Sequence, residues 1–131
     1  MYDVLGWLNV GLIATMTAPY WLRELNKRTI NLRGGYYAKL IKILRVIHKP
    51  LGLLIIIVAP IHGYLALGGL RLHTGSLVFA FVLLTGMLGL SFYLTKKKIL
   101  FKWHKVFALT IFAFLGIHLL FPSALYTLFG V

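Results

Sequence analysis

The sequence predicts an all-α fold: an integral-membrane four-helix bundle with both termini on the outer side. Three observations predict it. Of 131 residues, 60% are hydrophobic, and the mean hydropathy is +0.91. A chain this short cannot bury so much apolar surface in one core, so it needs the bilayer as a second apolar solvent. The apolar residues gather into four stretches of spanning length, each about 19–25 residues. The charges fall between those stretches, with Lys+Arg 14 against Asp+Glu 2 and a net charge of +12. Such a balance often marks a nucleic-acid partner, but charges confined to the ends of apolar spans fit lipid headgroups better. Membrane lipid is the expected partner and nucleic acid is not.

The whole chain, 1–131, reads as a single transmembrane domain. Its N-terminal Met1-Tyr2-Asp3 has no basic n-region and no small-residue cleavage site follows, so the first span is expected to be a retained helix. That helix is expected over 4–22, ending at Pro19-Tyr20-Trp21, residue types that favour the interface. A basic inner loop follows over 23–36, with Gly34-Gly35 as the break. The second helix is expected over 37–70. Its first part carries a basic stripe, Lys39, Lys42, Arg45 and Lys49, expected to lie at the membrane surface with its lysines snorkelling. Gly68-Gly69-Leu70-Arg71 and Thr74-Gly75 turn the chain into the third helix, 75–94. A second basic inner loop, 95–102, leads to the fourth helix, 103–121, and an interfacial tail, 123–131.

Sidedness follows from the cations. Eight lie between Arg23 and Lys49, five more are Lys96, Lys97, Lys98, Lys102 and Lys105, and the remaining connection holds only Arg71. The positive-inside rule puts the first two groups on the cytoplasmic side. The second and fourth helices are then parallel. The expected location is a prokaryotic cytoplasmic membrane, crossed several times.

Cysteine is absent, which excludes disulfides, iron–sulfur clusters, thiolate zinc and covalently attached haem. The chemistry-bearing residues are histidines. His48 and His62 are fourteen residues apart on the second helix, and His104 and His118 are fourteen apart on the fourth. Fourteen residues return a side chain to within roughly 40° of the same face and about 21 Å further along the axis. On parallel helices the levels match, His48 with His104 and His62 with His118. Two facing imidazoles are axial ligands for one haem iron, so the pattern predicts two non-covalent b-type haems at two levels.

Small residues on the two faces, Gly52, Ala59 and Ala108, leave room for a flat macrocycle, beside Ile55, Ile111 and Leu115. Pro60 and Gly116 each fall two residues before a second histidine, where bending can tune its approach. Arg45 lies one turn before His48 and is the first candidate for a haem propionate, with Lys49, Lys102 and Lys105 behind it. Each feature has a plainer reading. Small residues also serve close helix packing, membrane histidines also bond neighbouring helices, and the cations also serve sidedness. His73 is expected to be a solvated loop residue, the sharper alternative being a contact to a propionate, a quinone or a partner. Asn9, Thr15, Thr17, Thr85 and Ser91 are expected to bond between helices.

Along Arg45-Val46-Ile47-His48-Lys49-Pro50-Leu51-Gly52 to His62, and from Trp103-His104 to His118, the chain resembles the di-haem b-type membrane cytochromes. It looks like the core of respiratory cytochrome b, and it is similar to the ferric-reductase and NADPH-oxidase membrane domain. The resemblance covers roughly half the chain, both ligand helices. It implies paired histidines on parallel helices with an arginine before the first ligand. The chain departs from both families in lacking their full helix set, the reductases' flavin- and nicotinamide-binding domains, and a quinol-site motif. The function expected is transmembrane electron transfer as a cytochrome b subunit of a redox complex, without substrate chemistry of its own. A dehydrogenase subunit or an extracytoplasmic cytochrome is its expected redox partner. The alternatives are a quinone-reactive membrane anchor, with His73 or Asn9 as polar groups, and a non-redox assembly or transport protein.

Overall fold

The computed structural model describes residues 1–131 except Ile30, Arg33, Leu70, Gly130 and Val131, and it leaves the Phe129 side chain undescribed. Arg33, counted among the inner cations, Leu70, the expected end of the second span, and the last two tail residues thus lie outside the described residues. The described secondary structure is helical throughout: α1 Tyr2–Arg28, α2 Gly35–Leu67, α3 Thr74–Thr95, α4 Lys98–Leu120 and α5 Ala124–Phe129. Among the described residues three helices, α2, α3 and α4, are long and apolar enough to cross a membrane, consistent with a membrane protein. α1 has the length, 27 residues, but Asn9, Thr15, Thr17, Pro19 and Tyr20 dilute its apolar run.

Most helix ends lie outside the hydropathy boundaries, although α2 ends at Leu67 and α4 at Leu120, short of the expected 70 and 121. α1 continues through Arg23–Arg28 and α4 begins at Lys98, five residues before the expected start. Glu, Lys and Arg are good helix formers, so hydropathy marks where a span leaves the apolar layer and not where its helix stops. α2 has 33 residues and is about 50 Å long, some 20 Å more than a hydrocarbon core. The basic stripe occupies that excess.

The chain divides into two compact units, Met1–Ala59 and Pro60–Val131, and the division falls at Pro60 within α2. In the first unit, Asn26 closes the turn after α1. Its Oδ1 accepts the Leu32 N–H at 2.7 Å and its Nδ2 donates to the Leu32 carbonyl at 3.1 Å. Asn31 adopts a left-handed conformation there, φ 49°, which asparagine tolerates well.

In the second unit, α3 and α4 pack directly on one another. Only Lys96 and Lys97 separate them. Lys96 is left-handed, φ 58°, and its N–H reaches back to the Phe92 carbonyl, a common helix stop. Aromatic rings fill the seam: Phe81 lies 4.7 Å from Phe114 and 5.5 Å from Phe107, and Phe92 lies 5.0 Å from Phe101, centroid to centroid.

Candidate histidine site

The two histidine faces are the less exposed sides of their helices. On α2, His48, Gly52, Ile55, Ala59 and His62 are buried or half-buried, while Leu53, Leu54, Ile57 and Ile61 are exposed. On α4 the same holds for His104, Ala108, Ile111, Leu115 and His118, against exposed Leu109, Phe112 and Ile117. Ile55 is only 2% exposed and Ile111 6%, so each stripe is deepest midway between its histidines.

Three histidines share one arrangement at Nδ1. His48 Nδ1 lies 2.9 Å from the Met16 carbonyl oxygen, and His104 Nδ1 lies 2.8 Å from that of Thr85. A carbonyl oxygen only accepts, and its second lone pair is available beyond the helix's own bond. Nδ1 is therefore the donor in both. His118 Nδ1 lies 2.9 Å from Thr74 Oγ1. That hydroxyl spends its single proton on the Pro122 carbonyl at 2.7 Å, so it too accepts from the imidazole. In each neutral ring the lone pair then resides on Nε2, the arrangement in which a histidine ligates metal with its other nitrogen held by a backbone or side-chain acceptor. In α1, Pro19 withdraws the N–H that would bond the Thr15 carbonyl, so the helix is one internal bond short beside the Met16 acceptor.

Two glycines of α3 receive two of these rings. A Cβ at Gly75 would stand 3.1 Å from His118 Cε1, and one at Gly89 would stand 3.1 Å from both Cε1 and Nδ1 of His104. Any larger residue would push the imidazole away. Gly75 and Gly89 are themselves fourteen residues apart, running opposite to His104 and His118. In the first unit, a Cβ at Gly52 would meet Met16 Cε at 3.4 Å, so Met16 neighbours both His48 and Gly52.

The fifth histidine departs from expectation. His73 is half-buried, its ring edge-on to His118 at 5.7 Å between centroids and 86° between planes. Burial lowers its pKa from 6.5. It lies in the connection before α3, partly exposed and against the His118 ring. His118 also lies within electrostatic reach of His62; both belong to the second unit, and His48 belongs to the first.

The cations are distributed differently from the histidines. Arg45 lines a cavity with Arg23, Tyr37, Lys42 and Lys49. Lys105 Nζ sits over the Phe101 ring, 5.1 Å from its centroid, and Phe101 in turn stacks nearly parallel to His104 at 6.4 Å. The hydroxyls expected to bond between helices bond within their own: Thr15 to the Gly11 carbonyl, Thr17 to Ile13, and Thr85 to Phe81. In apolar surroundings the carbonyl four residues back is the nearest acceptor. Asn9 is buried, its Oδ1 without a partner among the described residues.

Gly75, Gly89, Thr74, Thr85 and Met16 are the neighbours that histidine spacing does not announce. Only the two glycines leave a sequence signal, the same fourteen-residue interval. Comparison with protein-family models, with curated proteins and with solved structures finds no match to this chain.

Proposed function

We propose that this chain is a transmembrane electron carrier that holds two b-type haems non-covalently on His48, His62, His104 and His118. The observation that carries the proposal is the common tautomer: His48, His104 and His118 each donate Nδ1–H to an oxygen acceptor, which leaves the lone pair on Nε2. Such a bond fixes ring orientation and raises ligand basicity, the part a protein plays around a metal. The donor set fits haem iron, since imidazole is the available ligand type and cysteine is absent. Haem bound there supplies reversible one-electron chemistry.

Sequence spacing assigns the ligands by level, His48 with His104 and His62 with His118. The residues themselves orient the rings, keep the sites apolar through Ile55 and Ile111, and limit bulk at Gly52, Ala59 and Ala108. In this proposal all four long helices, α1 included, cross a prokaryotic cytoplasmic membrane, with the basic connections inside and both termini outside. The redox partner is a dehydrogenase subunit or an extracytoplasmic cytochrome.

Oxidised and dithionite-reduced spectra of the purified protein, with a pyridine haemochrome assay, test the cofactor. Close to two low-spin haems per chain is expected. His48→Ala and His104→Ala should remove one haem, and His62→Ala and His118→Ala the other. Because the chain has no cysteine, single cysteines replacing Tyr2, Tyr126 and Lys97 report sidedness: the first two should label from outside and the third from inside.

A second reading rests on the same bonds. His48 joins α2 to α1, and His104 and His118 join α4 to α3, so the histidines can serve as helix-to-helix staples in a non-redox membrane protein. That reading requires a colourless protein even after expression with added haem, an outcome that overturns the electron-carrier proposal.

A further inference from the structure

The first unit contains a cavity of about 760 Å³ between α1 and the basic start of α2. Arg23, Lys42, Arg45 and Lys49 line it, with Tyr37 and the apolar Ile41 and Val46. Four like charges on one cavity wall repel one another, and the chain is poor in acids. It carries two acids in all: Asp3, at the far end of α1, and Glu24, which is ion-paired to Arg28 at 2.8 Å. Tyr37 Oη supplies the second observation: it is buried without a hydrogen-bond partner among the described residues. A buried phenol lacking an acceptor is a costly exception in a folded protein, and Tyr37 also lines the cavity.

We propose that this cavity is a phosphate-binding site, and that the phosphate is the headgroup of an anionic phospholipid. Phosphate suits the wall for three reasons. Its oxygens accept several donors at once, its charge offsets several cations, and guanidinium groups such as those of Arg23 and Arg45 match it in bidentate geometry. Lys42 and Lys49 add point charges, and the Tyr37 hydroxyl adds a donor. The N-terminal end of α2, beginning at Gly35, contributes the positive pole of its macrodipole. The cavity is more open than enclosed, which leaves room for a group that continues beyond the phosphate. Its mixed lining suits an amphiphile: cations and a phenol for the headgroup, Ile41 and Val46 for the start of the acyl chains. Basic pockets between membrane helices recognise lipid headgroups on these grounds.

Arg45 and Lys49 flank His48 in the sequence, so the test uses the full chain with and without added haem. The delipidated protein in maltoside micelles is titrated with short-chain phosphatidylglycerol, short-chain phosphatidylcholine and inorganic phosphate, and binding is read by tryptophan fluorescence and native mass spectrometry. One saturable phosphatidylglycerol per chain is expected, with phosphatidylcholine much weaker. The Arg23→Gln, Arg45→Gln double variant should weaken binding by about a hundredfold, tenfold for each charge-assisted contact. Tyr37→Phe, which keeps size and charge, should weaken it severalfold. The Lys96→Gln, Lys97→Gln, Lys98→Gln variant removes more charge elsewhere and should bind as the parent does. Competition by millimolar inorganic phosphate would show that the phosphate group alone suffices. No competition, with phosphatidylglycerol bound, would assign recognition to the whole headgroup. Non-saturable binding, or equal weakening by the Lys96–Lys98 substitutions, would overturn the site in favour of diffuse attraction to anionic lipid. So would free phosphate binding without phosphatidylglycerol.

Discussion

Gly89→Ala tests whether α3 aims a ligand of α4. The added methyl would stand 3.1 Å from both Cε1 and Nδ1 of His104. Non-bonded carbons settle at about 3.5–4.0 Å, so the imidazole must retreat by roughly 0.5 Å. It is held in place by the 2.8 Å bond from Nδ1 to the Thr85 carbonyl. A retreat of that size stretches the bond to about 3.3 Å, past its useful range, and costs about 1 kcal/mol. Alanine in a helix interior returns about 1 kcal/mol relative to glycine. The two nearly cancel, so the melting temperature should hardly move while Nε2 is displaced. Gly116→Ala is the control, because nothing lies within 4 Å of a Cβ there. The assay is haem per chain together with low-temperature electron paramagnetic resonance of the oxidised protein. Gly89→Ala should weaken or shift the low-spin signal of one haem and leave the other unchanged, and Gly116→Ala should keep both. Unchanged g values in Gly89→Ala, or equal losses in both variants, would refute the idea that this glycine seats the ligand.

Thr74 is 3% exposed and joins His118 to the Pro122 carbonyl. Thr74→Val should cost about 1–3 kcal/mol, since it strands a donor and an acceptor, and Thr74→Ser should recover most of it in thermal melts. Asn26→Ala removes both side-chain bonds to Leu32 and should cost about 1 kcal/mol at this exposed turn, read from the same melts. His73 carries a pH dependence of known sign. Burial lowers its folded pKa below 6.5, so the unfolded chain takes up the proton first as pH falls. The stabilisation is complete above that value and shrinks below it. Melts across about pH 5 to 8 should show a decline on the acid side that His73→Gln reduces; an identical profile in the variant would remove His73 as its source.

Much of the fold is legible in the sequence because the bilayer imposes period and length together. The cores of α2, α3 and α4 follow from apolar length alone. Their ends do not, since Arg23–Arg28 and Lys98–Lys102 are helix formers outside the apolar runs. The histidine faces are legible because His48, Gly52, Ile55, Ala59 and His62 repeat at 4, 3, 4 and 3 residues. The acceptors for Nδ1 are not, for two of them are backbone carbonyls, of Met16 and Thr85, and every residue has one. His73 misleads for a related reason. A histidine among turn residues looks solvated until the adjacent Thr74 is known to hold His118, which brings the ring of His73 onto it.

The fourteen-residue interval is also a packing interval. Fourteen is two heptads, and a 4-3-4-3 stripe is the seam of helices packed at a period of 3.5. α3 has such a stripe, Gly75, Val78, Val82, Thr85 and Gly89, and α4 has its mirror, His104, Ala108, Ile111, Leu115 and His118. The close approaches at Gly75–His118 and Gly89–His104 set a single antiparallel register, and that register puts Val82 opposite Ile111 midway. A straight helix drifts about 20° per heptad from the 3.5 period, so holding both ends of a two-heptad seam requires supercoiling or an unbroken pair of helices. α3 and α4 contain no proline, whereas α2 contains Pro50 and Pro60. The hairpin therefore fixes one length within its unit. It holds His104 and His118 about 21 Å apart along the axis, each ring seated on a glycine and oriented through Nδ1.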